Sequence, residues 1–207
     1  PIYNPQGQGI WGAIDFSADT RNNNKRPKWG TAILAAENIN LNKIELKYNT
    51  SYPGTITIAQ IAETDIAIIS MYGKNIYDYE KVTAYSYLAN LHRCLSDMAP
   101  LLDRYSSAQR FIIAGDWNAG PQWDNRKSRK NFNFFERLAT FGLKDCLGHF
   151  PDGEYETTFK HNRDRQIDWM FSSPQLNIRE AHVERSFEIE DVSDHYPIIT
   201  EFDIEKK

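Results

Sequence analysis

Residues 110–118 read RFIIAGDWN, and this stretch decides how the rest of the chain is interpreted. Phe111 to Ala114 form a short apolar run with the length and composition of a buried β-strand. Asp116 and Asn118 follow it, where a strand delivers side chains to the rigid edge of a sheet. Residues two positions apart in extended chain point the same way, so both side chains can converge on one ligand. The alternative is a strand-ending turn, because Asp and Asn are common in turns.

A second carboxylate lies in the stretch QIDW, residues 166–169. Asp168 stands between Ile167 and Trp169 inside a predicted apolar strand, where an unpaired carboxylate would cost on the order of several kcal/mol. Burial therefore requires a partner, and His195 is the candidate. A carboxylate that accepts a hydrogen bond from one ring nitrogen fixes the orientation of a histidine and stabilises its protonated form.

The third stretch is SDHYP, residues 193–197, at the start of a strand-like run that ends at Phe202. Asp194 projects differently from His195 and is free to bind a hard cation through oxygen. Taken alone, this pair would be interpreted as a capping aspartate and a surface histidine. Together, three acids and one histidine in similar settings suggest a metal-assisted hydrolase.

The rest of the chain reads as short strands with two helices, which predicts an α/β or α+β layered domain. Between Glu80 and Tyr105, apolar residues alternate in steps of four and three, as in an amphipathic helix. A second helix is expected at about Asn131 to Phe141, closed by Gly142. Residues 1–30 are interpreted as irregular structure apart from a short strand at Trp11–Phe16. The other predicted strands are Thr31–Ala35, Ile44–Tyr48, Thr55–Ile61, Asp65–Tyr72, Arg110–Ala114, Glu156–Lys160, Gln166–Ser172, Ile178–Phe187 and Tyr196–Phe202.

Length and composition fit one soluble domain over residues 1–207. With 41% hydrophobic and 25% charged residues, the chain can bury a substantial core. Cys94 and Cys146 are too few for a disulfide framework and lack the close pairing of a zinc or redox motif, which favours a reducing, cytoplasmic compartment. No stretch approaches the length of a membrane span. The chain opens at Pro1 without a signal-like segment, so its start is interpreted as a truncation or processing boundary.

The net charge of −4 argues against a protein that coats nucleic acid by bulk electrostatics. Three local basic clusters could still form a phosphate-binding rim if the fold brings them together. The alternative is three solvated loops rich in lysine and arginine. The clusters are Lys25, Arg26 and Lys28; Arg126, Lys127, Arg129 and Lys130; and Lys160, His161, Arg163 and Arg165.

The motifs GDWN, QIDW and SDHYP, in this order and spacing, resemble those of the endonuclease/exonuclease/phosphatase superfamily, which has the deoxyribonuclease I-like fold. The resemblance runs from about Gly30 to Phe202. SMY at residues 70–72 with Asn75 is similar to the place where abasic-site endonucleases of this superfamily hold a phosphate-contacting tyrosine and asparagine. WGTAIL at residues 29–34 looks like the strand that follows the first metal-binding acid. The resemblance implies a sandwich of two mixed β-sheets flanked by helices.

The resemblance also implies catalytic roles in phosphodiester hydrolysis. Asp116 would position or deprotonate the attacking water, and Asn118 would help to orient the water and the phosphate. His195, oriented by Asp168, would contact the phosphate. Such a reaction needs an aligned water, charge neutralisation on the nonbridging oxygens and help for the leaving alkoxide.

The same resemblance implies a metal ligand and a substrate-binding set. Asp194 would bind Mg²⁺, with Mn²⁺ as the alternative ion, and the ion would supply charge neutralisation and leaving-group assistance. Tyr72 with Asn75 would contact the scissile or leaving oxygen. The predicted substrate-binding residues in the basic loops are Arg126, Lys127, His161, Arg163 and Arg165.

One part of the family pattern is missing from the sequence. Members of the superfamily begin with two strands, and the second carries a glutamate that is the principal metal ligand. No glutamate precedes Glu37, which lies beyond the WGTAIL stretch. We therefore expect an N-terminally truncated domain without that ligand.

Three functions remain open from the sequence. The main prediction is a nuclease with DNA or RNA as partner. It is favoured by Tyr72 with Asn75, by the basic loops, and by three tryptophans that could stack on bases or sugars, Trp117, Trp123 and Trp169. For Trp169, packing in the core is favoured over contact with a base. A phosphatase or phosphodiesterase could act on inositol phosphates or lipid head groups, although no exposed hydrophobic hairpin for a membrane is evident. A catalytically weak fragment or nucleic-acid-binding module is the third. The sequence leaves open whether DNA, RNA or a small ester is cut.

Overall fold

The computed structural model describes residues 10–15, 30–47, 49–75, 84–105, 110–124, 129–149, 157–158 and 166–204. The helices are α1 (Ala84–Tyr105), α2 (Lys130–Thr140) and α3 (Phe187–Glu190), with 3-10 turns at Pro121–Trp123 and Leu147–His149. The strands are β1 (Ile10–Asp15), β2 (Thr31–Ala35), β3 (Leu41–Lys43), β4 (Ile56–Ile61), β5 (Ile66–Met71), β6 (Arg110–Asp116), β7 (Lys144–Asp145), β8 (Asp168–Ser172), β9 (Asn177–Val183) and β10 (Ile198–Asp203).

Six of these strands form one mixed sheet in the order β3-β4-β5-β6-β8-β7. β5 and β6 are parallel, and the other neighbours are antiparallel. Parallel neighbours need a long crossover connection, and α1 lies in the connection between β5 and β6. As a result, the carboxyl ends of β5 and β6 reach the same edge of the sheet.

One face of this sheet packs against the helices. Ile69, Ile113 and Phe171 form one row across three strands, and they share a buried core with the apolar stripe of α1. That stripe has the spacing seen in the sequence, and its residues are at most 2% exposed. Its members are Leu88, Leu91, Leu95, Met98 and Leu102.

The opposite face carries two separate two-stranded sheets. Thr57, Ser70, Ala114 and Met170 lie in register on this face. The β1–β2 pair packs near β4, where Thr31 Oγ1 is 2.8 Å from Thr57 Oγ1. The β9–β10 pair packs over β8 in a second apolar cluster that includes Met170. The predicted layered α/β arrangement is therefore confirmed.

Some predicted boundaries are wrong. Ile44 and Leu46 pack against the core, but the strand in this region is Leu41–Lys43. The alternation of apolar residues over Ile44–Tyr48 therefore indicated partly buried side chains and not a strand. The predicted strand Ile178–Phe187 ends at Val183, because the ladder with β10 ends there. Phe187 instead begins the short helix α3.

Other predictions fall partly outside the described residues. The predicted strand Glu156–Lys160 is represented only by an isolated bridge between Thr158 and His195. The predicted helix start at Glu80 lies outside the described part, which resumes with α1 at Ala84. Within the described residues, no helix is both long enough and apolar enough to cross a membrane.

Candidate active site

The candidate site lies at the sheet edge where β6 ends and β8 begins. Asp116 is the last residue of β6 and Asp168 the first of β8, and the two are direct partners in the antiparallel ladder. Asp168 was predicted inside a strand and instead lies at its beginning. On the other side of β6, the Gly73 amide donates to the Asp116 carbonyl at 2.8 Å. The three segments that carry Tyr72, Asp116 and Asp168 are thus joined through the backbone.

Asp116 and Asn118 converge as predicted, but through a turn rather than an extended chain. Asn118 has a φ of 48°, a left-handed conformation that asparagine tolerates better than most residues. Its backbone amide donates to Asp116 Oδ1 at 2.9 Å and its Nδ2 donates to Asp116 Oδ2 at 3.1 Å. The turn interpretation and the ligand-binding interpretation of this motif are therefore compatible.

Asp168 and His195 form the predicted pair. Asp168 Oδ2 lies 2.8 Å from His195 Nδ1, with side-chain exposures of 16% and 31%. The hydrogen bond to Asp168 raises the pKa of His195 to about 9, against the opposing effect of burial. The ring is therefore an imidazolium at neutral pH, with its Nδ1 proton held by Asp168.

Asp116 has the opposite electrostatic character. Its burial, and after that the negative charge of Asp168, raise the pKa of Asp116 to about 6, while His195 and the hydrogen bonds from Asn118 act in the other direction. The carboxyl group is therefore mostly deprotonated when the pH is above about 6, and the resulting carboxylate is a stronger base than that of an ordinary aspartate. Carboxyl groups with a pKa near the working pH are suited to general base catalysis.

Tyr72 and Asp194 flank this centre. Burial, followed by the charge of Asp116, raises the pKa of Tyr72, whose hydroxyl interacts with the Asn118 side chain. Asp194 is 47% exposed, with Oδ1 4.0 Å from His195 Nε2. Asn75 is partly buried in the segment that follows β5.

The described residues contain one group suited to hold a metal ion. One ligand atom from each of Asp116, Asp168 and His195 lies within 4.8 Å of the others. Because His195 Nδ1 is bound to Asp168, the carboxylates are the better donors. The mutual repulsion of Asp116 and Asp168 would be relieved by a hard cation, for which oxygen ligands are suited. Glu37 is exposed in a turn after β2 and is not in this group.

The basic residues predicted to bind substrate lie outside the described residues. They are Arg126, Lys127, His161, Arg163 and Arg165.

The tryptophans of the motifs belong to the core. Trp117 is fully buried and Trp169 is 7% exposed, and both rings pack in one aromatic cluster with Phe134, Phe135 and Phe171. The prediction that Trp117 could stack on a base is therefore wrong, and the core assignment of Trp169 is confirmed. Since each ring is adjacent in sequence to a site aspartate, the cluster anchors Asp116 and Asp168.

Two buried polar residues near the site were missed from the sequence. Asn90 is fully buried; its Oδ1 accepts from the Tyr52 amide at 2.8 Å and its Nδ2 donates to the Tyr72 carbonyl at 3.3 Å. Thr157 is also fully buried and contacts the Asp168 backbone. A polar residue beside the apolar stripe of α1 could have indicated Asn90, whereas no local pattern marks Thr157.

We expect Gly73→Ala to destabilise the fold by about 2 kcal/mol or more, because an added methyl group cannot be accommodated. A Cβ at Gly73 would lie 1.8 Å from the Trp117 carbonyl oxygen, which is backbone and cannot rotate away. Urea denaturation measures the change. Gly148→Ala is the control, since its Cβ would meet only the Asp145 side chain at 3.3 Å. Equal stability of the two variants would contradict the close packing at Gly73.

Comparison with known proteins places this geometry in a family. The model of the Endonuclease/Exonuclease/phosphatase family matches residues 3–195. A sequence comparison with curated proteins found no match. Members of this family are hydrolases that act on phosphoester bonds.

Solved structures with low sequence identity share the fold. An AP endonuclease from Archaeoglobus fulgidus aligns with a TM-score of 0.62 at 16% identity, over 83% of this chain and 74% of that one. The 3′ phosphatase NExo from Neisseria, bound to product DNA hairpin, aligns with a TM-score of 0.59 at 18% identity, over 81% and 71%. The human Nocturnin catalytic domain with bound sulfate aligns with a TM-score of 0.62 at 17% identity, over 95% and 72%.

These alignments agree with the mixed sheets and flanking helices described above, and the fold is deoxyribonuclease I-like. The family model covers most of the chain, including all three motifs from GDWN to the histidine of SDHYP. The chain belongs to the endonuclease/exonuclease/phosphatase family.

Proposed function

We propose that this protein is a metal-dependent phosphodiester hydrolase that acts on nucleic acid. The observation that carries the proposal is the pairing, at one sheet edge, of a basic carboxylate with an imidazolium. Asp116 has a pKa of about 6, and His195 is held protonated by Asp168. A base for water and a cation for phosphate are the two groups that phosphoester hydrolysis requires from side chains.

In this proposal the side chains at the site have distinct roles. Asp116 accepts the proton of the attacking water, and Asn118, bound to both Asp116 carboxylate oxygens, orients that carboxylate and the phosphate. His195 donates to a nonbridging phosphate oxygen from Nε2, since Nδ1 is bound to Asp168. Tyr72 contacts the scissile or leaving oxygen. Preorganised donors of this kind are most effective in a partly buried site because water does not compete with them.

Asp194, which lies beside His195 at the edge of the group formed with Asp116 and Asp168, is the carboxylate that would hold Mg²⁺ or Mn²⁺. When bound, the ion neutralises charge on the phosphate and assists the leaving alkoxide. The half-exposed position of Asp194 leaves its oxygens accessible to such an ion. Two neighbouring carboxylates, Asp116 and Asp168, provide the negative potential that favours binding of a cation.

The nucleic-acid substrate is supported by the neighbours and by Tyr72 with Asn75. An AP endonuclease and a 3′ phosphatase bound to a DNA hairpin share this fold. Because the second of these proteins is a 3′ phosphatase, we consider a 3′-phosphate monoester on DNA as the alternative substrate for the same site. The basic residues Arg126 and Lys127, with His161, Arg163 and Arg165, are proposed to contact the phosphate backbone.

Cleavage assays with the 207-residue chain test the function. Labelled single-stranded DNA, duplex DNA, abasic-site duplex, RNA and DNA with a 3′ phosphate are each incubated with Mg²⁺, Mn²⁺ or EDTA. We expect cleavage of a phosphodiester that EDTA abolishes. Release of phosphate from the 3′-phosphate substrate alone would favour the phosphatase, and no reaction with any substrate would contradict hydrolase activity of this chain.

The pH dependence of kcat/KM is expected to be bell-shaped. Activity rises with pH as Asp116 loses its proton, with a pKa of about 6, and falls as His195 loses its proton, with a pKa of about 9, because the base must be charged and the imidazole protonated. Initial rates at saturating metal across this range measure the profile. A flat acidic limb would contradict Asp116 as the base, and a flat alkaline limb would contradict the imidazolium.

A further inference from the structure

We propose that Thr157 is a positioning residue that sets the relative placement of Asp168 and His195. The inference rests on the proposed function, because its catalytic consequence follows only if this pair acts on the substrate. Its structural basis is independent of the substrate. Thr157 bonds directly to the backbone on both sides of the pair.

On the Asp168 side, the Thr157 hydroxyl accepts two backbone hydrogen bonds. The amides of Ile167 and Asp168 each donate to Thr157 Oγ1 at 3.0 Å. Thr157 is fully buried and Ile167 is 4% exposed. Buried amides that lose their acceptor are costly, so this hydroxyl fixes the position at which β8 begins.

On the His195 side, the same residue uses its backbone. The Tyr196 amide donates to the Thr157 carbonyl at 2.9 Å, and the adjacent Thr158 forms a β-bridge with His195. His195 is 27 residues from Asp168 in sequence. Thr157 therefore connects two distant segments at the point where each presents its side chain to the site.

Catalysis depends on this connection because the Asp168 to His195 contact is a single hydrogen bond of 2.8 Å. A displacement of about 1 Å in a catalytic group can lower a rate by about 100-fold. A further local restraint on the histidine is the bond from its amide to Ser193 Oγ at 3.0 Å, which does not reach Asp168. Removal of the Thr157 hydroxyl should loosen the pair without removing either member.

Three variants separate positioning from a general contribution to stability. Thr157→Val keeps the shape and removes the acceptor, whereas Thr157→Ser keeps the hydroxyl. Ser173→Ala is the matched control, because Ser173 Oγ accepts from the buried Phe111 amide at 2.9 Å at the opposite end of β6. Thr157→Ala replaces the valine variant if valine does not fold.

The readouts are kcat and KM on the cleaved substrate, the thermal midpoint, and the low-field NMR signal of the His195 Nδ1 proton in the free protein. We expect Thr157→Val to lower kcat by about 100-fold with KM little changed, and to lose the low-field signal. Thr157→Ser should restore both. Ser173→Ala should lower the thermal midpoint while it retains kcat and the signal.

A low-field signal that persists in Thr157→Val, or that is lost equally in Ser173→Ala, would overturn the positioning role. This measurement needs no substrate, so it decides the role even if the chain cleaves none of the nucleic acids. Absence of cleavage with loss of the signal would refute the proposed function and support the positioning of the pair.

Discussion

Replacement of Asp116 by asparagine is expected to lower kcat for phosphodiester cleavage by about 10³-fold, the usual contribution of a positioned general base. Asparagine occupies nearly the same volume and retains an acceptor for the Asn118 amide, which donates to Asp116 Oδ1 at 2.9 Å. It cannot accept a proton from water at neutral pH. KM should change little, because the loss concerns the reacting water rather than the binding of the phosphate.

The same change is expected to stabilise the folded chain at neutral pH. The pKa of Asp116 is raised from 3.8 to about 6 in the fold, so the fold favours the protonated carboxyl. The associated stability is fully present below the unfolded pKa and is lost as pH rises through about 6. At higher pH the charged carboxylate lowers the free energy of unfolding by up to about 3 kcal/mol. Loss of one Asn118 hydrogen bond offsets part of this, so the net gain is about 1 kcal/mol.

Thermal denaturation of wild type and Asp116→Asn at about pH 4 and about pH 8 measures the gain, which should be confined to the higher pH. Asp103→Asn, on the exposed face of α1, is the control for loss of one negative charge. An active Asp116→Asn enzyme would exclude Asp116 as the base. An equal gain at both values of pH would show that its charge is not the cause.

Replacement of His195 by alanine is expected to lower kcat by about 10³-fold to 10⁴-fold, because the reaction loses the cation that faces the phosphate. Asp168→Asn should cause a loss of similar size, since His195 Nδ1 would lose the carboxylate that holds its proton. The double variant should be little worse than either single variant, because residues that act as a unit have non-additive effects.

The pair also contributes to stability. The hydrogen bond to Asp168 raises the pKa of His195 from 6.5 to about 9. The resulting stabilisation is fully present below the unfolded pKa and is lost as pH rises through about 9. His195→Ala also leaves a carboxylate that is 16% exposed without this partner, at a cost of about 2 kcal/mol near neutral pH.

Rates and urea denaturation of the two single variants and the double variant form a double-mutant cycle that measures both effects. His182→Ala is a matched control, because His182 is 43% exposed and lies between the carboxylates of Glu180 on β9 and Glu184 just after it. Additive losses in the cycle would show that Asp168 and His195 act separately. Wild-type activity in His195→Ala would remove the imidazolium from the mechanism.

The layered fold was predictable from the sequence because its main elements carry strong periodic patterns. The apolar spacing of α1 and the apolar run in β6 arise directly from burial, and α1 ends at Tyr105 and β6 begins at Arg110 as predicted. Prediction failed where pairing depends on a distant partner. Ile44 and Leu46 pack on the core without forming the predicted strand, and β9 ends at Val183 because its ladder with β10 ends there.

The candidate site was likewise predictable from the sequence only in part. The chemical identity of its members was evident from Asp116, Asn118, Asp168, Asp194 and His195, because a buried carboxylate requires a partner. Their arrangement was not evident. The left-handed turn at Asn118 and the start of β8 at Asp168 arise from backbone contacts between segments that are remote in the chain.

The sequence by itself determined the fold class, the three motifs and the family they resemble, since local periodicity and short polar motifs are properties of contiguous residues. Only the tertiary structure decided that Asp116 faces Asp168 across a ladder, that Trp117 is core, and that Thr157 bonds to both sides of the Asp168–His195 pair. These features depend on burial and register, because both are set by how distant segments pack.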